Sequence, residues 1–489
     1  SALIAGNSVI IKPAPEAVLT SWYMVNALWD AGIPRDVLQF VPTTDDEVGK
    51  GLVTDDRVDA VILTGAYDTA RMFLGWKPDM TLFAETSGKN SMIITAMSDR
   101  DQAIKDLVKS AFGHAGQKCS ASSLAILEAE VYDDPAFRRQ LKDAVESLHI
   151  APAYDLSTKM ATVIREPDPK LKKGLTTLEA GEEWLVQPRM IDGNPNLWTP
   201  GIKLGVKQGT FFHKTECFGP VLGLMRARDL DHAISLANDV DYGLTGGLHT
   251  LDDREIEIWR EKVEVGNAYI NRGTTGAIVQ RQPFGGWKKS AFGYSKAGGA
   301  NYTYALSTWE DDTDDEKTLL GRAHKSYKDA WDSHFSVEHD PSQVRGESNV
   351  FRYRKMGRIL LRLTPDSKSV DVERVLLATQ YCGVPVYVSL SDESARLDIL
   401  KLDSWRHITV KVEDEAHFIQ EIKSGIYQYK QRIRAIEPVS DAIRDAAIDA
   451  HVMIASDPVL SNGRLELRHY LQEQSMTQTT HRYGNIVAE

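Results

Sequence analysis

The sequence predicts an α/β protein of two or three domains built on parallel sheets, and three observations carry that reading. Short apolar runs alternate with helical patterns over residues 1–90, as in a parallel sheet with crossover helices. The same alternation resumes beyond Ser348. Between the two stands Glu310–Lys317, an acidic run without apolar residues that reads as a linker or domain edge.

Taken in order, Val9–Lys12 is a strand ending at Pro13. Trp22, Val25 and Trp29 share one helical face, closed by Gly32 and Pro34. Val37–Pro42, Ala60–Thr64 and Thr81–Ala84 are the next strands. Ile104, Leu107, Val108, Ala111 and Phe112 recur at helical spacing until Gly113 stops them, and Gly113–Ser123 is small and polar, a loop. Turn signals cluster between Asp192 and Gly201, and Gly-rich loops at Gly273–Gly276 and Pro283–Gly293 close this half. In the second half Gly357–Leu363 and Pro385–Leu390 read as strands, with Val372, Val375, Leu376 and Thr379 a helical stripe stopped by Gly383.

Composition narrows the function. Hydrophobic content of 42% and charged content of 26% are those of a soluble globular protein. A net charge of -12 argues against a nucleic-acid surface. Three scattered cysteines (Cys119, Cys217 and Cys382) make neither a disulfide framework nor a metal site, so a reducing, cytoplasmic setting is the default. No apolar run is long enough to span a bilayer. Ser1 opens inside what reads as a helix-to-strand unit, which suggests a piece of a longer protein.

Three short segments carry chemistry. Cys119 lies among small residues in Gly116-Gln117-Lys118-Cys119-Ser120-Ala121, where Lys118 or a helix terminus could lower its pKa toward the reactive thiolate. Glu85 opens Glu85-Thr86-Ser87-Gly88-Lys89-Asn90 at the carboxyl end of a strand, where α/β sheets place ligands. Glu216 and Phe218 stand before a Gly-Pro turn in Thr215-Glu216-Cys217-Phe218-Gly219-Pro220. Alone, each has an ordinary explanation: a buried thiol, a solvated turn carboxylate, a strand-ending turn. Together they are specific, Glu85 preceding Cys119 by 34 residues and Cys119 preceding Glu216 by 97.

The set resembles the aldehyde dehydrogenase superfamily, whose glutamate, Gly-Gln-x-Cys and Glu-x-Phe-Gly-Pro motifs occur in this order. Ile11-Lys12-Pro13-Ala14, Leu63-Thr64-Gly65-Ala66 and Pro283-Phe284-Gly285-Gly286 are further matches, and the resemblance covers about the first 300 residues. It implies a remainder of a Rossmann-like NAD-binding domain over 1–88 and a catalytic α/β domain over 89–309. It further implies that Cys119 is the nucleophile adding to an aldehyde carbon, with its backbone N–H as half of an oxyanion hole, and that Glu85 is the general base for the hydrolytic water, its pKa raised by burial. Lys12 and Glu216 would hold the cofactor riboses, Phe218 would pack on the nicotinamide end, and Thr86 belongs to the same cofactor-facing motif. Thr64, Gly65 and Ala66 would open a helix whose N-terminus faces the pyrophosphate.

Two departures qualify this. Ala66 stands where the family usually has a hydroxyl, and Pro15 where it often has an acid, with Glu16 one place later; an acid there would repel a 2′-phosphate, so NAD is preferred to NADP. The family's oxyanion-hole asparagine would fall before Ser1, and Asn7 is too close to Lys12 to replace it.

Within the superfamily the glutamate and cysteine motifs, with Thr275-Gly276-Ala277, look like the 1-pyrroline-5-carboxylate dehydrogenase branch. That implies oxidation of L-glutamate γ-semialdehyde to glutamate, with Ser120 and the N–H groups of Gly276 and Ala277 on the substrate's α-carboxylate and Phe284 beside them. Pro458–Leu467 and the ending Thr480-His481-Arg482-Tyr483-Gly484-Asn485 resemble the close of the longer proline utilization A family. There a proline dehydrogenase domain carrying FAD, absent from this chain, precedes the aldehyde dehydrogenase, and an α/β Rossmann-like domain without an evident active site follows it, here 318–489 after the acidic linker 310–317. His481 and Arg482 read as a packed tail more readily than as ligands. No metal and no nucleic acid is expected, and a homo-oligomer is left open. The competing readings are another semialdehyde dehydrogenase, or a truncated, non-catalytic piece.

Overall fold

The computed structural model describes residues 1–395, 400 and 405–481, so Arg482 and the rest of the terminal motif lie outside the described residues. It contains two compact units. One comprises Ser1–Ala84, Phe292–Glu338 and the described part of Arg352–Glu473; the other comprises Glu85–Ala291, His339–Phe351 and the described part of Gln474–Glu489. No helix among the described residues is long and apolar enough to cross a membrane.

In the first unit, strand Val9–Ile11 pairs in parallel with Leu38–Phe40, joined by helix Val18–Asp30. The apolar stripe explains the packing. Val25 is fully buried, and Trp22 sets its ring 5.8 Å from Trp29 and 5.5 Å from Phe40. Strand Val61–Thr64 is followed by helix Tyr67–Trp76 and strand Leu82–Glu85, so Glu85 is the last residue of its strand rather than the first after it.

The same unit holds a five-stranded parallel sheet in the order Ile408–Val412, Val386–Leu390, Arg358–Leu363, Gln431–Arg434, Met453–Ala455. Its first strand in sequence lies at the centre, with the chain winding out to either side, the doubly wound arrangement of Rossmann-like sheets. Helix Ser369–Cys382 ends where Gly383 takes a left-handed turn at φ 62°, the predicted stop. Arg434 and Glu466 form a fully buried bidentate pair at 3.0 Å, with Tyr470 Oη (2.6 Å) and the Leu460 N–H (3.0 Å) donating to the same carboxylate. These bonds account for much of the Pro458–Leu467 motif.

Two observations bear on the expected domain limits. The acidic run is tied into the fold: Asp315 caps helix Glu316–Ala330, and Asp311 accepts from Arg374 at 2.6 Å and from the Ser461 N–H at 3.2 Å. Of residues 318–489, His339–Phe351 and the described part of Gln474–Glu489 belong to the second unit. Part of the chain before Arg352 and the strand at the C-terminal end pack with the catalytic segment.

That packing is visible in the second unit's nine-stranded sheet, ordered Glu347–Lys355, Leu471–Thr479, Asn267–Ile270, Thr245–His249, Asn90–Ile94, Ser122–Glu128, Val221–Ala227, Gly201–Leu204, Glu183–Val186. The C-terminal strand pairs in parallel with Asn267–Ile270, from Asn267 opposite Ser475 to Ile270 opposite Gln478. Neighbours from there to Gly201–Leu204 are parallel, and Glu183–Val186 is antiparallel at the edge. The inner strands are buried on both faces, which is why they read as near-continuous apolar runs. Helix Arg100–Phe112 packs its Ile104, Leu107, Ala111 and Phe112 into this core.

Candidate active site

The site grows from the end of strand Leu82–Glu85. Residues 85–87 are clamped by the loop after Pro283: Gly286 N–H donates to Glu85 Oε2 (3.1 Å), Thr86 N–H to Ser290 O (2.9 Å) and Thr86 Oγ1 to Lys289 O (2.7 Å). Ser290 Oγ donates to Ser87 O at 2.7 Å. Phe284 lies within the same loop, flanked by Pro283 and Gly285, which Asn267 grips from its two amide ends at 3.0 Å each.

Three residues beyond Ser87, Asn90 organises the cysteine segment. Its amide donates to Cys119 O (2.7 Å) and Ala121 O (2.9 Å), while its oxygen accepts from the Thr245 N–H at 3.0 Å. Gly88 lets this approach happen, for a Cβ there would stand 2.9 Å from Cys119 O. Ser120 is buried, and its carbonyl accepts from Thr274 Oγ1 at 3.0 Å.

The expected loop before Cys119 is a distorted turn, Gly113–Gly116, with His114 and Ala115 at positive φ. Gly116, at φ 70°, faces the Glu216 segment so closely that a Cβ would meet Gly219 O at 2.3 Å. Gln117 strengthens the junction, its amide donating to Phe218 O at 3.2 Å. Strand Ser122–Glu128 begins one residue before the predicted loop ends.

Glu216 reaches back to the glutamate motif, accepting the Gly88 N–H at 2.8 Å. Burial pushes its carboxyl up, against the pull of that N–H, the Ser87 hydroxyl and the ammonium groups of Lys89 and Lys170. Phe218 holds φ 51° and leaves 43% of its surface exposed, an aromatic face open to a flat ligand.

Cys119 is half-buried. Burial pushes its thiol pKa up, the carboxylates of Glu85 and Glu216 add to the rise, and the N–H groups of Ser120 and Cys119 oppose it. The expected lowering by Lys118 or a helix terminus is therefore reversed: two acids stand within electrostatic reach, and removal from water penalises the anion.

Glu85, Thr86, Cys119, Ser120, Glu216, Phe218 and Phe284 all belong to the second unit, and within it Glu85 and Glu216 both act on the Cys119 thiol. Gly276 and Ala277 follow Thr274 on an exposed loop, Gly276 at φ 89° with open space at its Cβ position. Lys12, Glu16, Thr64, Gly65 and Ala66 belong to the first unit. There Lys12 pairs with Asp45 at 2.7 Å, Glu16 sits in a short turn at Pro15–Ala17, and Ala66 begins helix Tyr67–Trp76 without a side-chain cap. Sequence reasoning passed over Asn90, Thr274 and Ser290. Asn90 closes the glutamate motif and was legible there, whereas the other two carry no local signal.

A profile described as the Aldehyde dehydrogenase family matches residues 1–309. The chain belongs to that family. Its relatives include 1-pyrroline-5-carboxylate dehydrogenase of Bacillus subtilis (strain 168), 35% identical over 313 residues, 62% of this chain and 60% of that protein. Among solved structures, proline utilization A from Corynebacterium freiburgense matches with a TM-score of 0.86 at 43% identity, over 98% of this chain and 48% of that one. A Thermus 1-pyrroline-5-carboxylate dehydrogenase with bound NAD matches with a TM-score of 0.57 at 31% identity, over 62% and 59%. This member of the family therefore spans about 60% of the curated relative's length and about half of the longer structural one.

Proposed function

We propose that this chain carries the site for oxidation of L-glutamate γ-semialdehyde, the open form of 1-pyrroline-5-carboxylate, to L-glutamate with NAD as acceptor. The observation that carries the reading is the convergence of Cys119, Glu85 and Glu216 in one unit, with Asn90 holding the cysteine backbone. Support comes from relatives named for that dehydrogenase and from a neighbour solved with NAD. The residues fit such a cofactor: Glu216 offers a half-buried carboxylate to ribose hydroxyls, and Phe218 an exposed ring to a flat heterocycle.

Cys119 gives up its thiol proton to solvent and its sulfur adds to the aldehyde carbon, giving a thiohemiacetal oxyanion that faces the Cys119 N–H. When bound, the cofactor would supply the hydride acceptor that turns this adduct into a thioester. Glu85 then takes a proton from water as the water oxygen adds to the thioester carbon, the carbon–sulfur bond breaks, the acid product loses its proton to solvent and leaves as the carboxylate, and the proton on Glu85 returns to the Cys119 sulfur. Ser120, Gly276, Ala277 and Phe284 form the substrate end. Lys12, Glu16, Thr64–Ala66 and Thr86 serve the cofactor, with Glu16 favouring NAD over NADP. The domain limits 1–88, 89–309 and 318–489, a cytoplasmic location and an upstream proline dehydrogenase domain in the longer protein complete the proposal.

The test is NADH formation from 1-pyrroline-5-carboxylate by this chain and by its full-length source protein, each with Cys119→Ala. Turnover abolished by Cys119→Ala supports the reading. A folded, NAD-binding full-length protein that is inert toward this substrate yet oxidises another semialdehyde refutes the substrate.

A further inference from the structure

Lys89 follows the glutamate motif directly, and its side chain is unusual for a lysine. It is 3% exposed, and its ammonium has no hydrogen-bond partner among the described residues. Burying an unpaired cation is costly, so the position calls for a compensating role. The ammonium stands 4.1 Å from the ring centroid of Phe212, which walls it off with apolar surface. Lys203 approaches the same ring at 4.9 Å, but that lysine is satisfied by Glu182 at 3.2 Å and by Thr177 O at 2.5 Å.

The charges facing Lys89 are Cys217, Glu216, Lys203 and Glu182. Glu182 is ion-paired with Lys203, and burial raises the pKa of the Cys217 thiol, so among the described residues Glu216 is the carboxylate that Lys89 faces without a nearer cation. The geometry supports this pairing from both sides. Gly88, the residue before Lys89, gives its N–H to Glu216 at 2.8 Å, and Phe212 belongs to the short helix Phe211–Lys214 that leads into Glu216. The other groups facing Glu216 are the Ser87 hydroxyl, Lys170 and Cys119, and Lys170 is exposed and screened by solvent.

We propose that Lys89 is a positioning residue whose buried ammonium holds the Glu216 carboxylate ionised, and so competent to accept hydrogen bonds from a ribose. The second half of that statement rests on the cofactor reading of Glu216 above. An ammonium with a close partner would spend its field on that partner; one left without, in an apolar wall, acts on the nearest anion at low local dielectric. Burial pulls Lys89 itself down to about 8, so the support is present at neutral pH and is withdrawn in alkali.

The experiment uses Lys89→Met, which keeps the stem and removes the charge, with Lys89→Gln as a second variant that retains a polar end. The titration of Glu216 is read by carbon-13 resonance of glutamate side-chain carboxyls, assigned by its loss in Glu216→Gln. We expect the Glu216 midpoint to move to higher pH in both variants. NAD affinity at pH 6.5 should fall about tenfold, the equivalent of one charge-assisted hydrogen bond, and the gap should close above pH 9, where the parent's Lys89 has also lost its proton. In the Glu216→Gln background, adding Lys89→Met should leave NAD affinity unchanged. A Glu216 midpoint that stays put in a folded variant overturns the proposal. A midpoint that moves in a parent chain that binds no NAD upholds Lys89 as the partner of Glu216 and overturns the ribose reading instead.

Discussion

Replacing Asn90 with alanine tests the architecture around the cysteine. The Asn90 side chain is 2% exposed and makes three hydrogen bonds, at 2.7, 2.9 and 3.0 Å, to the carbonyls of Cys119 and Ala121 and the N–H of Thr245. Removing it leaves those three backbone groups buried without their partner. At a net value of about 1 kcal/mol per bond the loss is about 3 kcal/mol. Strands Asn90–Ile94, Ser122–Glu128 and Thr245–His249 meet at this residue, so the cost should appear as local opening. Amide exchange read by mass spectrometry over those strands should quicken about a hundredfold, the rate equivalent of that energy. Thr274→Val removes a single bond to Ser120 O, together with the Thr274–Ser122 hydroxyl contact, and serves as the smaller control. Exchange within threefold of the parent in Asn90→Ala would refute the view that this amide organises the site.

Other outcomes follow from the charges. Because Cys119 is pushed up by burial and then by Glu85 and Glu216, its alkylation by iodoacetamide should keep rising with pH beyond the point where an ordinary cysteine has levelled off. Glu85→Gln removes one of the two acids, so the profile should shift to lower pH, and an unshifted profile would remove Glu85 from the thiol's surroundings. In the first unit, Glu466→Ala strands the fully buried Arg434 guanidinium. That should cost about 3–5 kcal/mol and lower the unit's thermal transition by about 10 °C, whereas a change under about 1 °C in a calorimetric scan would show the pair to be dispensable.

Much of this was legible before any coordinates. Helix Val18–Asp30, helix Arg100–Phe112 and the stop at Gly383 announce themselves by apolar spacing and by glycine, because such signals act over a few residues. The three chemical motifs are likewise local strings, and their order named the family. The acidic run showed its charge but not its partners, Asp311 meeting Arg374 and Ser461, 63 and 150 residues away in sequence.

What the sequence by itself determined is therefore which residues can do chemistry and which stretches are strands or helices. Only the tertiary structure decided that the strand at the C-terminal end joins the catalytic sheet, that Asn90 holds Cys119, and that burial, with two acids nearby, pushes the thiol pKa up rather than down. The reason is physical. Periodicity and turn preference are set by neighbours along the chain, whereas strand pairing, hydrogen-bond satisfaction and ionisation depend on groups that meet only after folding, in a low-dielectric interior where small distances change large energies.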